Sequence, residues 1–278
     1  MKNHVEGKSI IITGAGGGFG ALVSQKAAAL GAKITCADID VGAAEAVAAS
    51  IRAAGGEAQS VAADVVDAQQ MSAVAKSATD AFGSIDVLIN NAGVMPLSYV
   101  SDHEVALPKW HQCIDINFKG VVNGTAAVYD QMMAQGCGHV INISSIYGNH
   151  PMVGSAVYGA TKAAVNYFSE SLRVETRGKI KVTIVKPTAV LGTGLSAGVI
   201  NPAAAGGSVG HNIAEFGTLI QAFMQGESPA EAHDPGSISY QIMDPEHIAE
   251  SIIYTINQPW GVSIGDITIR AAGDHYIL

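Results

Sequence analysis

The sequence predicts an α/β fold, in which a doubly wound parallel sheet carries helices on both faces. Three observations predict it. Short apolar runs alternate with alanine-rich helical stretches along the chain, and a glycine-rich turn follows the first apolar run. Several of the runs, such as HVINIS, are strongly apolar, which is typical of parallel strands buried on both faces. Together these features indicate repeated βα units in one sheet.

Length and composition bound the possibilities further. The chain has 278 residues, of which 48% are hydrophobic and 14% charged, so we expect one domain over residues 1–278 with a large core. Its net charge of −9 argues against nucleic acid or an anionic membrane as a partner, and favours a small molecule. No apolar run approaches the roughly 18 residues that span a bilayer.

The cysteines and the amino-terminal sequence indicate the cellular compartment in which the protein resides. Cys36, Cys113 and Cys137 are scattered and show no C-x-x-C spacing, as a reducing compartment permits. We expect them to be buried small hydrophobic residues. The first residues pass directly into a predicted strand without a signal-peptide core, so cytoplasmic residence is the expectation. No metal site is predicted, since His211 and His233 lack ligand spacing and are expected to face solvent.

The strands and helices are predicted in order from these patterns. Helices are expected after most of the strands, including a long one from about Trp110 to Met133 and an amphipathic one begun by DPEH. Asp40 is expected to cap the second helix, and Asp64 is a candidate cap for the third. The predicted strands are KSIIITG, AKITCADID, AQSVAADV, SIDVLINNAG, HVINIS, KIKVTIVKP and a last strand from Ile264 to Ile269.

The glycine turn after the first strand is a candidate anion-binding loop. Glycines let backbone amides approach a pyrophosphate at a helix N-terminus, where the helix dipole favours negative charge. The second strand then ends at Asp38, about 20 residues past the glycines. A carboxylate there can accept hydrogen bonds from both ribose hydroxyls of an adenosine and repels a 2′-phosphate. Since no Arg or Lys follows Asp38 directly, NAD(H) is favoured over NADP(H).

Ser145, Tyr158 and Lys162 form the candidate catalytic group. Tyr158 and Lys162 are four residues apart in a helix-favouring segment, so they share one helical face. A neighbouring ammonium stabilises a phenolate, so we expect Lys162 to lower the pKa of Tyr158 and allow proton exchange near neutral pH. Ser145 ends the HVINIS strand, at the sheet edge where open α/β sheets bind ligands.

With the glycine turn, these residues resemble the short-chain dehydrogenase/reductase family. The family signature is a serine followed about thirteen residues later by Tyr-x-x-x-Lys, and its glycine motif, TGxxxGxG, matches Thr13 to Gly20. The resemblance covers roughly residues 5–190. It implies a Rossmann-like fold, an NAD cofactor, interconversion of a secondary alcohol and a ketone, and assembly as a homotetramer or homodimer.

The resemblance also implies roles for individual residues. Asn117 completes a catalytic tetrad with Ser145, Tyr158 and Lys162 by holding a water that links the lysine to solvent. Asn90 is expected to face the cofactor and Asn91 to be structural, although Asn91 also belongs to the NNAG element expected near the cofactor. With Tyr158 and Lys162, the implied cofactor-binding residues are Gly14, Gly16, Gly18, Phe19, Gly20, Asp38, Ile39, Asp64, Val65, Asn91, Ala92, Gly93, Pro187 and Val190.

The region after the sixth strand departs from the family pattern. The usual Pro-Gly is Pro187-Thr188, and the following threonine is displaced to Thr193, which weakens its assignment as a cofactor ligand. Residues 195–240 are rich in Gly, Ala, Ser and Pro, and we expect a lid over an apolar substrate. With Ser145, the candidate substrate contacts are Tyr147, Met95 and Met152, with Leu97 and His150 as further pocket residues.

Other functions share parts of this pattern. A 3-oxoacyl-type ketoreductase has the same catalytic residues, but this chain lacks the glycine-rich tail common in that group. An extended-branch epimerase or dehydratase shares Tyr-x-x-x-Lys, but usually has TGxxGxxG and a larger carboxyl-terminal region. A non-catalytic NAD-sensing regulator often loses the tyrosine or the lysine, whereas this chain keeps both.

Overall fold

A computed structural model describes residues 2–188, 190 and 193–277. Its centre is a seven-stranded sheet in the order β3-β2-β1-β4-β5-β6-β7, in which all neighbours pair in parallel. The predicted fold class is confirmed. The strands are β1 Ser9–Thr13, β2 Lys33–Asp38, β3 Glu57–Ala62, β4 Val87–Asn90, β5 Gly138–Ile143, β6 Ile180–Pro187 and β7 Asp266–Ile269.

The strand order reverses between β1 and β4, and this reversal positions the site. From β1 the chain moves outward to β2 and β3, and then returns to place β4 on the other side of β1. The loops at the carboxyl ends of β1 and β4 therefore diverge to opposite faces. A crevice opens between them, where ligands bind in open α/β sheets.

Eight α-helices cover the sheet within the described residues. Asp40 caps α2 by accepting a hydrogen bond from the Ala43 amide, as predicted. Asp67, and not Asp64, caps α3, while Asp244 caps α8. The helices are α1 Gly18–Ala29, α2 Val41–Ala53, α3 Ala68–Phe82, α4 His103–Ile114, α5 Gly120–Gln135, α6 Ala156–Glu175, α7 Ile213–Gln225 and α8 Pro245–Ile256.

The helix predicted from Trp110 to Met133 is longer and is interrupted. Helix α4 begins earlier, at His103, and a π-helical turn over Asp115–Lys119 joins it to α5. Such single π turns insert one extra residue into a helix and are frequent at functional sites. This one carries Asn117, which is fully buried.

Apolar side chains fill both faces of the sheet. On one face Val23, Val47 and Ile252 pack from α1, α2 and α8. On the other face Val74, Val128 and Leu172 pack from α3, α5 and α6. The burial of strands β1, β4 and β5 along their whole length explains why their sequences are mostly apolar.

The carboxyl-terminal third is less regular. Residues 195–212 form short 3₁₀ turns before α7, and β7 is shorter than the predicted Ile264–Ile269 strand. Cys36 and Cys113 are buried and Cys137 is half-buried, while His211 and His233 are exposed as predicted. Among the described residues no helix combines the length and apolarity needed to cross a membrane. No cluster of three or more His, Cys, Asp or Glu side chains that could hold a metal occurs in these ranges.

Candidate active site

The structure brings Ser145, Tyr158 and Lys162 together in a buried position. Ser145 follows β5, and Tyr158 and Lys162 lie on the inward face of α6. All three side chains belong to residues that are less than a tenth exposed. The Ser145 hydroxyl accepts a hydrogen bond from the Tyr147 amide at 3.2 Å, which fixes the hydroxyl at the end of the strand.

Lys162 is held from two directions. Its ammonium donates to the Ile143 carbonyl at 2.8 Å, and its own carbonyl accepts from the Ser144 hydroxyl at 3.2 Å. These bonds tie α6 to the end of β5. Burial lowers the pKa of Lys162 to about 8, because desolvation disfavours the charged form.

The expected lowering of the Tyr158 pKa is not found in the structure. Burial of the phenol raises its pKa, and the nearby Tyr147 and Cys113 act in the same direction. The interaction with the Ser145 hydroxyl opposes burial but is smaller. The Lys162 ammonium lies 5.8 Å from the centre of the Tyr158 ring and bonds to Ile143, so it does not offset the desolvation. In this structure Tyr158 is a neutral phenol at neutral pH.

Asn117 fixes the backbone that follows β4. Its amide oxygen accepts from the Val94 amide and its amide nitrogen donates to the Val94 carbonyl, each at 2.9 Å. The nitrogen also lies 3.3 Å from the Thr161 hydroxyl. A Cβ built on Gly93 would lie 3.3 Å from the Asn117 oxygen and 3.7 Å from the Lys162 ammonium. Asn117, Gly93 and Lys162 therefore form one continuous wall.

The glycine turn is packed too closely for side chains at several positions. Gly14 and Gly18 have positive φ angles of 64° and 50°, which glycine adopts without strain. A Cβ on Gly20 would lie 2.2 Å from the Gly14 carbonyl oxygen. Within the part of the chain that the structure describes, no side chain caps the start of α1 after Gly17, so its first amides are available to an anion. Phe19, on the first turn, packs against the core.

Asp38 lies directly beside this turn. Its carboxylate accepts from the Gly16 amide at 2.8 Å and from the Asp40 amide at 2.9 Å. Each carboxylate oxygen keeps a further lone pair for a ligand hydroxyl. The next residue, Ile39, is 75% exposed and offers an apolar surface at the same edge.

Asn90 and Asn91 both make structural hydrogen bonds. Asn90 is buried and donates to Asn142 at 2.8 Å, joining β4 to β5. Asn91 instead donates to the Thr13 and Gly14 carbonyls at 2.9 and 3.1 Å, beside the glycine turn. A Cβ on Gly14 would approach the Ala92 Cα to 3.0 Å, so the two loops are in close contact.

Two further groups of predicted cofactor residues follow β3 and lie at the end of β6. Asp64 accepts from the Val66 amide at 2.9 Å, and Val65 is buried against Gly120. Pro187 ends β6, and Val190 pairs with Met243 in an isolated bridge. The Thr193 carbonyl would lie 3.3 Å from a Cβ on Gly18, which brings this loop next to the glycine turn.

An apolar cluster of side chains includes Tyr158. It contains the predicted substrate contacts Tyr147, Met95 and Met152, together with Leu97, whereas His150 is exposed to solvent. The Tyr147 ring meets the Tyr158 ring edge-on at 5.5 Å. Sequence reasoning missed Tyr276, which packs against the same cluster from the far end of the chain. No sequence motif marks it.

The residues present fit a nicotinamide dinucleotide. The uncapped start of α1 suits a pyrophosphate, and Asp38 suits a ribose diol. The carboxyl-end crevice joins these groups to the buried serine, tyrosine and lysine. This combination defines the class: a dinucleotide-binding fold with proton-transfer groups at its crevice, as in oxidoreductases.

Comparison with known proteins gives the family. The family model for short chain dehydrogenases matches residues 8–202, and the chain belongs to this family. It is 31% identical over 270 residues to a glycine betaine reductase of Emericella nidulans, covering 97% of this chain but 19% of that protein. It is also 34% identical to an uncharacterized oxidoreductase of Listeria monocytogenes, covering 95% of this chain and 96% of that one. The protein is thus an oxidoreductase of this family.

Solved structures agree in fold. A metagenomic short-chain oxidoreductase in complex with NADP is 27% identical, with a TM-score of 0.72 over 96% of this chain and 98% of that one. A 7α-hydroxysteroid dehydrogenase complexed with NADH and 7-oxo glycochenodeoxycholic acid is 24% identical, with a TM-score of 0.79 over 100% of both chains. Related folds thus carry either nicotinamide cofactor.

Proposed function

We propose that the protein is an NAD(H)-dependent oxidoreductase that interconverts a secondary alcohol and a ketone. The observation that carries this proposal is the burial of Ser145, Tyr158 and Lys162 together at the carboxyl end of β5, beside the glycine turn. A hydroxyl, a phenol and an ammonium in one desolvated place can bind a carbonyl oxygen and exchange a proton with it.

Each residue has a separate role in this proposal. Ser145 donates a hydrogen bond to the substrate oxygen, and Tyr158 gives that oxygen a proton in reduction or takes one in oxidation. Lys162 stabilises the phenolate and contacts the ribose next to the reacting ring. Asn117 holds the wall behind Lys162 and links it to solvent. A bound nicotinamide supplies the hydride acceptor or donor.

The protonation states favour reduction in the absence of ligand. Because burial raises the pKa of Tyr158, the phenol carries its proton at neutral pH and is ready to donate it. Oxidation needs the phenolate. Lys162, with a pKa of about 8, is mostly an ammonium at neutral pH and can stabilise that phenolate when it turns toward the crevice. Oxidation is therefore expected to become faster as the pH rises to about 8 and to level off above it, where Lys162 loses the charge that stabilises the phenolate.

The preference for NAD(H) rests on Asp38. Its carboxylate is fixed against the glycine turn by the Gly16 amide and keeps lone pairs for two ribose hydroxyls. A 2′-phosphate at the same place would be repelled by the negative charge of the carboxylate. The glycine turn contains no Arg or Lys, and neither residue directly follows Asp38.

The proposal extends to the remaining cofactor and substrate residues and to the assembly. The predicted residues of the NNAG element, Asp64, Val65, Pro187 and Val190 border the nicotinamide and adenine ends of the crevice, and residues 195–240 close over the substrate. Exposed apolar side chains on α4 and α6, among them Val105, Ile114, Tyr167 and Val174, support a homotetramer or homodimer. We place the enzyme in the cytoplasm.

Replacing Tyr158 by Phe tests the proposal. The variant keeps the ring contacts with Tyr147 but loses the proton donor, so kcat on a panel of secondary alcohols and ketones should fall by about a thousandfold or more. NADH binding, followed by fluorescence, should remain within about threefold of the wild type. Wild-type kinetics are followed by NADH absorbance with the same panel. Retained turnover in Tyr158→Phe, or a wild type inactive on every member, would refute the assignment.

A further inference from the structure

The loop between β5 and α6 contains a tyrosine, Tyr147, that contacts both Ser145 and Tyr158. The Tyr147 amide donates a hydrogen bond to the Ser145 hydroxyl at 3.2 Å. Its ring meets the Tyr158 ring edge-on, with 5.5 Å between the ring centres and 69° between the ring planes. A Cβ built on Gly159 would lie 2.9 Å from the Tyr147 carbonyl oxygen, so the backbone of Tyr147 packs against the first turn of α6. Tyr147 therefore contacts both residues that are proposed to bind the substrate oxygen.

The hydroxyl of Tyr147 has its partner on a different segment of the chain. It lies 3.0 Å from the Ser208 hydroxyl, and both residues are buried. The Ser208 hydroxyl donates its single proton to the Ala205 carbonyl at 2.8 Å, so in this pair Tyr147 is the donor and Ser208 the acceptor. The Tyr147 hydroxyl thus links the loop after β5 to the segment that carries Ser208.

Ser208 ends the 202–208 turn, the 3₁₀ segment Pro202–Ser208 in the region proposed to close over the substrate. This turn packs directly against the loop that carries Tyr147. A Cβ built on Gly207 would overlap the Val153 carbonyl oxygen, so the two backbones are in close contact. Closely packed segments transmit displacements to each other. A movement of the turn therefore also moves the loop and the Tyr147 ring.

The orientation of the Tyr147 ring matters for the phenol beside it. An edge-on pair of rings is stabilised only within a range of angles and separations, so one ring restricts the orientation of the other. When the Tyr147 ring shifts, the Tyr158 ring loses one of the contacts that orient it. A reacting group that is displaced by about 1 Å can lose a large part of its rate. The bond from Tyr147 to Ser208 is thus placed to affect the rate of proton transfer through Tyr158.

We propose that Tyr147 is a positioning residue whose hydroxyl ties the 202–208 turn to the ring contact that orients the Tyr158 phenol. Proton transfer is then fast only while the turn is seated against the loop. The inference rests on the proposed function, in which Tyr158 exchanges a proton with the substrate oxygen. It adds a connection between the segment that covers the substrate and the group that reacts with it.

A second tyrosine holds the same turn and provides a matched control. The Tyr99 hydroxyl donates to the Ala203 carbonyl at 2.9 Å. Within the residues that the structure describes, the Tyr99 ring forms no aromatic pair with the Tyr158 ring, whereas the Tyr147 ring does. Phenylalanine at either position keeps the ring and removes one hydrogen bond to the turn. The two variants therefore differ in whether the lost bond is connected to Tyr158.

Kinetics of the two variants test the inference. Wild type, Tyr147→Phe and Tyr99→Phe are compared on the best substrate of the alcohol and ketone panel, with hydride transfer followed by NADH absorbance in a single turnover and in the steady state. Tyr147→Phe should lower the rate of hydride transfer about tenfold and change KM by less than about threefold. Tyr99→Phe should raise KM a few-fold and leave the rate of hydride transfer within about twofold.

Ser208→Ala breaks the same bond from the other side. It should reproduce the slower hydride transfer of Tyr147→Phe. The double variant Tyr147→Phe/Ser208→Ala should be no slower than the slower single variant, because both substitutions remove one shared interaction. The melting temperature of each variant is measured alongside, since a purely structural role would make the rate follow stability.

The outcomes separate this inference from the proposed function. A wild-type rate in Tyr147→Phe, an effect of that variant on KM alone, or additive losses in the double variant overturns the inference and leaves the proposed function standing. A rate that follows the melting temperature across all variants, Tyr99→Phe included, assigns the bond a structural role and also overturns the inference. A wild type inactive on the whole panel, or turnover retained in Tyr158→Phe, overturns the proposed function and this inference with it.

Discussion

The cofactor side and the substrate side of the crevice are built in different ways. On the cofactor side, backbone groups and glycines set the geometry: Asn91 bonds to the Thr13 and Gly14 carbonyls, and Asp38 bonds to the Gly16 amide. All of these residues lie within the first 91 of the chain. On the substrate side, contacts join segments far apart in sequence, as Tyr99 to Ala203 and Ile277 to Ser208.

This difference indicates which half of the site tolerates amino-acid substitution. Backbone packing on the cofactor side leaves little room for substitution, because an added side chain meets main-chain atoms that cannot move aside. The substrate side also contains close backbone contacts, such as the Ile277 amide with the Ser208 carbonyl, but several links between its distant segments are single side-chain hydrogen bonds and ring contacts of modest strength. Substitutions should therefore damage cofactor binding severely and substrate binding gradually.

The largest effect is expected for Gly20→Ala. The new Cβ would lie 2.2 Å from the Gly14 carbonyl and 2.9 Å from the Ala15 Cα, so α1 must shift away from the turn. We expect a loss of about 3 kcal/mol in the free energy of unfolding and no measurable NADH binding. Denaturant unfolding and fluorescence titration provide the measurements.

Gly217→Ala on α7 is the matched control for that experiment. A Cβ there meets nothing within 4 Å, so the helix should gain about 0.5–1 kcal/mol from the better helix former. The two substitutions should have opposite signs. If Gly20→Ala is as stable as the wild type and binds NADH, the two sides do not differ in the way described.

Asp38→Asn should change cofactor preference by an intermediate amount. The amide keeps an oxygen for the Gly16 amide but loses the charge that repels a 2′-phosphate. We expect the ratio of kcat/KM for NAD to that for NADP to fall by about 10- to 100-fold, since hydrogen bonds to charged groups are worth ~1.5–3 kcal/mol. The comparison needs steady-state kinetics with both cofactors.

Asp40→Asn provides the corresponding control. It removes a charge two residues away, and asparagine also caps helices well, so neither stability nor the cofactor ratio should change appreciably. A wild type that prefers NADP, or an unchanged ratio in Asp38→Asn, contradicts the assignment of NAD.

The smallest effect is expected on the substrate side, from Asn201→Ala. The Asn201 amide donates to Asp102 at 2.9 Å and joins residues 195–208 to the segment before α4. Its loss should cost ~1 kcal/mol and raise KM for the alcohol a few-fold, with NADH binding unchanged. Ser196→Ala, exposed in the same segment, should leave KM unaltered. A larger effect on NADH binding than on KM would show that the two sides are coupled.

Most of the fold could be predicted from the sequence, because strands buried on both faces have mostly apolar sequences. All seven strands occur in the predicted order. The errors have local causes. Pro108, a residue that commonly interrupts helices, lies inside α4, so the sequence favoured a later start. Asp64 and Asp67 are both plausible caps, and only the position of the Gln69 and Gln70 amides decides for Asp67.

The candidate site was predictable where motif spacing determines geometry, as for Tyr158 and Lys162 on one face of α6. The pKa of Tyr158 could not be predicted. The spacing shows that Lys162 is a neighbour of Tyr158, but it reveals neither how deeply the phenol is buried nor that Lys162 bonds to Ile143. Nor could the position of Tyr276 be predicted, since it depends on Asp274 reaching Thr188 across 86 residues of sequence. The bond from Asn90 to Asn142 depends on the register of β4 and β5, which the sequence does not reveal.

The π-helical turn at Asp115–Lys119 gives the α4–α5 helix a fixed residue count. One residue more than a regular helix is accommodated there, and Asn117 within it bonds to the Val94 backbone. Deleting a single residue from the turn would restore an ordinary helix and rotate everything beyond it by about 100° around the axis. Evolution and engineering can therefore exchange side chains along this helix, but shortening the π turn would change the direction in which the following residues face.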